Sequence, residues 1–220
     1  MLTIPQNLPE WKKAKYQMAA SWQTLNQSCC KGQIVFTGSS LMEMFPVEQF
    51  SREEGPGFPT VYNRGVGGFT THDMLLCLDE MVISLQPRRV FINIGTNDLS
   101  DASVTIDGLI TRYADILTRI TAAVPSAEII LMAYYPINYD AAPDEGMRAC
   151  LRIRTNERIR EANEAVKALA ERLGHRFIDV NAPLMDDQGR LRADYTIEGM
   201  HIFEAGYRAI WPAVKAEILR

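Results

Sequence analysis

The sequence has no basic surplus, no long apolar run and few cysteines or histidines, and each shortage removes a class of function. It carries 23 Lys and Arg against 27 Asp and Glu, a formal net charge of -4. The arginines from Arg148 to Arg160 are interleaved with Glu157 and followed by Glu161. Nothing in this pattern forms the basic stripe that tracks a phosphate backbone, so no nucleic-acid partner is expected. No apolar stretch approaches the roughly 18 residues of a membrane span. The opening Met1-Leu2-Thr3-Ile4-Pro5-Gln6 lacks the basic start and apolar core of a secretory leader, so a cytoplasmic protein without stable membrane insertion is expected.

Of the four cysteines, Cys29 and Cys30 are adjacent, while Cys77 and Cys150 fall in helix-like segments. That spacing is no disulfide framework and reads as reduced structural thiols. The three histidines, His72, His175 and His201, are scattered, and no Cys-x-x-Cys pair exists to close a zinc site, so no metal is expected. His72 lies near a helix start. His175 lies at a helix end, where the dipole favours a cation, and both read as structural. A Gly-x-Gly-x-x-Gly fingerprint, a Walker lysine and a Gly-x-Ser-x-Gly elbow are all missing, and no cofactor is expected.

What is present is the composition of an ordinary globular chain: 220 residues, 47% hydrophobic and 23% charged. One domain over 1–220 is expected, with residues 1–30 as an N-terminal helical segment packed on it. Five short apolar runs rich in β-branched residues, Gln33–Thr37, Thr60–Asn63, Arg89–Ile94, Glu128–Ala133 and Arg176–Val180, read as parallel strands buried on both faces. Between them the period turns helical: Ile106, Leu109, Tyr113, Leu117, Ile120, Val124, and again Ile159, Ala162, Val166, Leu169, Leu173 before Gly174. Helices are also expected over about 8–28 and about 204–219. Alternating strands and helices predict an α/β fold, a flavodoxin-like three-layer α/β/α sandwich around a five-stranded parallel sheet.

In open α/β sheets ligands bind beyond the carboxyl ends of the strands. The residues there are small and polar: Gly38-Ser39-Ser40 after the first run, Asn63 to Gly68 after the second, Gly95-Thr96-Asn97-Asp98 after the third. Taken singly, Ser40 could be a helix N-cap, the glycines a tight turn, Asn97-Asp98 a cap pair, and His201 a hydrogen-bond donor to a carbonyl. Taken together they offer a nucleophile, oxyanion donors and a base. A serine hydroxyl is a weak nucleophile, and a histidine oriented by a carboxylate can take its proton.

These blocks resemble the SGNH (GDSL-type) hydrolase family over about Gln33 to Tyr207. Gly95-Thr96-Asn97-Asp98 and Gly199-Met200-His201 with Gly206-Tyr207 carry the resemblance most specifically. It implies that Ser40 is the nucleophile, Gly68 and Asn97 the oxyanion donors, and His201 the base. Two positions depart from the pattern: Ser39 and Glu198 stand where the family usually has aspartate. Glu198 keeps the charge with one more methylene, so it must fold back to reach the imidazole; Asp194 or a backbone carbonyl is the alternative. The implied activity is hydrolysis of carboxylic (acyl or acetyl) esters through an acyl-serine intermediate, with a small acyl ester as the partner molecule and activity rising with pH as His201 loses its proton. A non-catalytic acyl-sugar or lipid binding module and an acyltransferase are the competing readings. Tyr134, Tyr135 and the irregular segment 136–146 are the expected specificity elements, and homo-oligomerisation is left open.

Overall fold

All five apolar runs are strands in the computed structural model, which describes residues 2–220: β1 Ile34–Gly38, β2 Val61–Gly65, β3 Arg89–Asn93, β4 Glu128–Met132 and β5 Arg176–Ile178. They form a sheet of order β2-β1-β3-β4-β5. β1 runs parallel to both neighbours, with Ile34 level with Val61 on one side and Arg89 on the other. Every residue of β1 and β3 is buried, which is why these runs show no apolar/polar alternation. β5 is shorter than expected because the Asp179 carboxylate accepts the Asn181 amide at 2.9 Å and turns the chain.

Nine helices flank the strands: α1 Glu10–Ser28, α2 Ser40–Glu43, α3 Val47–Glu53, α4 Thr71–Leu76, α5 Leu78–Met81, α6 Ile106–Ala123, α7 Glu145–Ile153, α8 Asn156–Leu173 and α9 Glu204–Leu219 among the described residues. The chain is thus the α/β fold expected. Local chemistry sets the ends. Pro9 opens α1, its carbonyl accepting the Lys13 amide at 3.0 Å. The Thr155 hydroxyl caps α8, accepting the Arg158 amide at 3.2 Å, and Gly174 closes that helix at φ +73°.

The chain folds into two compact units. The first runs to Gly95 and resumes over Thr111–Ile130; the second comprises Thr96–Ile110 and Leu131–Arg220. In the first, Phe36 stacks on Phe91 with ring centroids 4.4 Å apart, and Phe45 meets Phe36 edge-on. Each such buried ring is worth about 1.5–3 kcal/mol of transfer free energy. In the second, α8 lays Ile159, Ala162, Val166 and Leu169 inward as its period predicts, whereas Leu173, the last position of that stripe, is exposed at the helix end. Its Asn163 amide also grips the Tyr134 backbone, accepting the amide at 2.7 Å and donating to the carbonyl at 3.1 Å. Those backbone groups lie past the end of β4, and the Tyr134 carbonyl also accepts Asn181 Nδ2 at 2.9 Å.

The four cysteines are free thiols. Burial, with the nearby Glu80 and Asp73 charges, pushes the Cys77 thiol up to about 12, which removes it from nucleophilic chemistry at neutral pH. His175 follows the α8 cap as expected, but burial lowers its pKa and opposes the charge that the helix end favours. No helix among the described residues is long and apolar enough to cross a membrane.

Candidate active site

In the first unit β1 delivers its last residues into a turn that only glycine can make. Gly38 has φ +144°, and a Cβ there would lie 1.9 Å from the Asn93 carbonyl oxygen. Ser39 is the N-cap of α2 and Ser40 its first residue, so Ser40 is not the N-cap that serine in such a turn could be. Ser40 is half-buried, whereas Ser39 is fully buried and its hydroxyl has no partner among the described residues. The glycine turn after β2 is tied to the serine turn, the Val66 amide donating to the Gly38 carbonyl at 2.9 Å. Glu43 braces it further, accepting the Gly67 amide while the Lys15 ammonium of α1 sits 2.6 Å from Glu43 Oε1. Gly68 stands at φ +78° with the Trp11 indole against it.

In the second unit Asn97 begins the turn Asp98–Ser100, and its side-chain Oδ1 accepts a 2.9 Å bond from Arg154 Nη2. The same guanidinium donates from Nε to Ser100 Oγ at 2.8 Å and from Nη1 to Met200 Sδ at 3.1 Å. Arg154 ends α7 and is 4% exposed; burial lowers its pKa to about 10, against the attraction of Cys150, Glu198 and Asp98. It therefore keeps its charge at neutral pH.

Glu198 Oε1 lies 2.5 Å from His201 Nδ1 and also accepts the His201 backbone amide at 3.1 Å. The longer acid does fold back. A double brace makes that possible: the Thr196 hydroxyl accepts the Gly199 amide at 2.8 Å and donates to the His201 carbonyl at 2.9 Å, closing a tight loop around the pair. Burial alone would raise the Glu198 pKa, but the His201 hydrogen bonds and charge, with the Arg154 charge behind, hold it below the ordinary glutamate value. With Nδ1 bonded to a carboxylate, the hydrogen-bond pattern assigns its proton there and leaves Nε2 as the basic nitrogen.

The residues singled out by sequence thus divide into two groups: Ser40 and Gly68 in the first unit, Asn97, Glu198 and His201 in the second, where Glu198 and His201 are in direct contact. Asp194 is occupied otherwise, 2.8 Å from Arg192. Tyr134 and Tyr135 are 0% and 2% exposed, so their rings pack in the core and do not offer the substrate-facing surface expected of them. Only the later part of segment 136–146 is open, with Tyr139 and Asp140 exposed. Sequence reasoning missed Arg154, which reads as one more arginine in a mixed-charge helix, and missed Trp11 and Lys15 beside the glycine turn. The one available signal for Arg154 was its place at a helix end immediately before the Thr155 cap. No group of three or more His, Cys, Asp or Glu that could hold a metal occurs among the described residues.

Residues 43–209 match the GDSL-like lipase/acylhydrolase family, a span that takes in Gly68, Asn97, Glu198 and His201 and begins just after Ser40. No curated protein matches the sequence. Among solved structures, a candidate platelet activating factor from Streptococcus pneumonia is 28% identical, with TM-score 0.82 over 94% of this chain and 93% of that one. A GDSL-like lipase from Bacteroides thetaiotaomicron is 23% identical, with TM-score 0.75 over 91% and 97%. An acetylxylan esterase from Geobacillus stearothermophilus is 20% identical, with TM-score 0.66 over 86% and 95%; at these last two identities the likeness is one of fold.

Proposed function

From the premise that the chain belongs to the GDSL-like lipase/acylhydrolase family, we propose that it is a serine esterase acting on small carboxylic esters, acetyl and short acyl esters of sugars or glycerolipids among them. The observation that carries this reading is the Glu198–His201 contact at 2.5 Å, which fixes the imidazole in the tautomer a general base needs. Ser40 Oγ attacks the ester carbonyl carbon and its proton passes to His201 Nε2. The tetrahedral oxygen carries the negative charge and is met by the Gly68 amide and the Asn97 side-chain amide. The carbon–oxygen bond to the alcohol then breaks, and His201 returns the proton to the departing alcohol. Water repeats the sequence on the acyl-serine, releasing the acid. Each oxyanion donor is worth about 3–4 kcal/mol of barrier, and the oriented base supplies a further large factor.

The test is hydrolysis of p-nitrophenyl acetate, butyrate and octanoate, run beside acetylated sugars. Ser40→Ala and His201→Ala are each expected to lose at least about 10³-fold in kcat, and a fluorophosphonate is expected to label Ser40 alone. Equal rates for all three proteins would overturn the mechanism. Binding without turnover would mark a recognition module, and preferential capture of the acyl group by an added alcohol would mark a transferase.

A further inference from the structure

We propose that Arg154 is a positioning residue for the Asn97 amide: it fixes which end of that amide is presented to the reaction and strengthens it as a donor. The inference rests on the esterase reading for its chemistry, and on the geometry of one buried cluster for its substance. A carboxamide has two ends of nearly the same shape and opposite hydrogen-bonding sense. Half a turn about χ2 would replace the N–H donor by a carbonyl oxygen, and a developing oxyanion would then meet repulsion where it needs attraction. A guanidinium has donors only. Arg154 Nη2, 2.9 Å from Asn97 Oδ1, therefore accepts one orientation of the amide and excludes the other.

The clamp is itself held. Nε bonds Ser100 Oγ at 2.8 Å and Nη1 meets Met200 Sδ at 3.1 Å, so three separate donors fix the plane of the guanidinium. Ser100 Oγ is anchored in turn by Cys150 Sγ at 3.3 Å, one helical turn before Arg154. A lysine ammonium on its flexible stem could serve one of these acceptors but could not register all three. All three hydrogen-bond acceptors are neutral, and the Glu198 and Asp98 carboxylates act on the guanidinium as nearby charges. The charged donor on Oδ1 polarises the amide and makes the Nδ2 hydrogens better donors. Met200 adds a second link, because it lies between Glu198 and His201: the group that orients the amide also touches the loop that carries the base.

The experiment is a double-mutant cycle with a spectroscopic arm. Arg154→Met in the parent protein is expected to lower kcat about 10–100-fold with KM within about twofold, a smaller loss than removing the donor itself. In an Asn97→Ala background the same substitution is expected to change kcat less than about threefold, because the amide it acts through is gone. Arg154→Lys is expected to restore little of the loss. Ser100→Ala, which removes one anchor without emptying the buried site, is expected to lower kcat about 3–10-fold, and it runs the same cycle if Arg154→Met does not fold. In parallel, the 15N-labelled Asn97 side chain is expected to give one sharp pair of amide proton signals in the parent and broadened or doubled signals in the variant. Equal losses in both backgrounds, or an Asn97 signal indifferent to the substitution, would overturn the clamp. If the parent hydrolyses no ester and Ser40 resists labelling, the esterase reading fails by itself, and the Asn97 spectrum still decides whether Arg154 orients the amide.

Discussion

Gly68 shows how a single residue can be constrained twice over, and which constraint governs. A Cβ added there would lie 2.6 Å from the Trp11 ring, but Trp11 is 57% exposed and free to swing outward, so that contact is cheap to relieve. The backbone is not: φ at +78° is left-handed territory that costs a non-glycine residue about 1 kcal/mol or more, and an escape from it would re-aim the amide. Gly68→Ala is therefore expected to lower kcat about 10²-fold or more with a stability loss of only about 1–2 kcal/mol. Adding Trp11→Ala is expected to leave kcat low. Recovery of kcat in the double variant would show that the indole, rather than the backbone, sets the position of the turn. Glu198 makes the complementary point, since its extra methylene is absorbed by the Thr196-braced loop and the carboxylate still reaches Nδ1.

At the scale of elements, the strands were legible because burial on both faces writes itself as unbroken apolar β-branched runs, and α6 and α8 because one buried face writes itself as a 3.6-residue period. The carboxyl-end turns that hold Ser40, Gly68 and Asn97 were legible from their glycines and small polar residues. What α1 docks on was not. That helix buries only Tyr16, Ala19 and Asn26, and its attachment is mostly polar. Tyr16 Oη donates to Asp73 at 2.6 Å, the Lys12 ammonium lies 2.8 Å from the same carboxylate, and Asn26 Nδ2 reaches the Glu80 carbonyl at 2.8 Å. Partners 54 to 61 residues apart leave no periodic trace, and the same blindness hid Arg154, whose acceptors lie 46 to 57 positions away. Asp73 also closes the capping box of α4 with Thr70, so one carboxylate serves two helices. Asp73→Asn is expected to cost about 2–3 kcal/mol and Tyr16→Phe about 1 kcal/mol. Amide hydrogens of α1 should exchange faster in both variants, in that order. Unchanged α1 exchange in Asp73→Asn would show that apolar contacts alone seat the helix.

For the molecule as a whole, the carboxylates held low in its two units set how folding stability depends on pH. Burial by itself would raise the pKa of Asp73, but hydrogen bonds from Lys12, Tyr16 and Thr70 hold it below the ordinary aspartate value, as His201 and Arg154 do for Glu198. A folded-state pKa below the unfolded one means that the unfolded chain binds protons first as pH falls. Each group therefore contributes stability that is complete above the unfolded carboxylate range and is lost as pH drops through its own lowered value. Exposed carboxylates that are also held low, such as Asp101 and Asp194, act in solvent and are screened by salt, so the buried Asp73 and the half-buried Glu198 carry the part of the effect that survives at high ionic strength. Urea unfolding in 1 M NaCl is expected to give a free energy that is flat near neutrality and falls below about pH 5. Asp73→Asn and Glu198→Gln should each start lower at pH 7, slope less in acid, and converge on the parent at the lowest pH, with the double variant flattest. Curves that stay parallel to the parent through the acid limb would show that neither carboxylate is held low in the fold. If the proposed esterase reaction is the one catalysed, its rate gives a second reading of the same titration: it should fade as acid protonates Glu198, while Asp73→Asn leaves the rate profile unmoved.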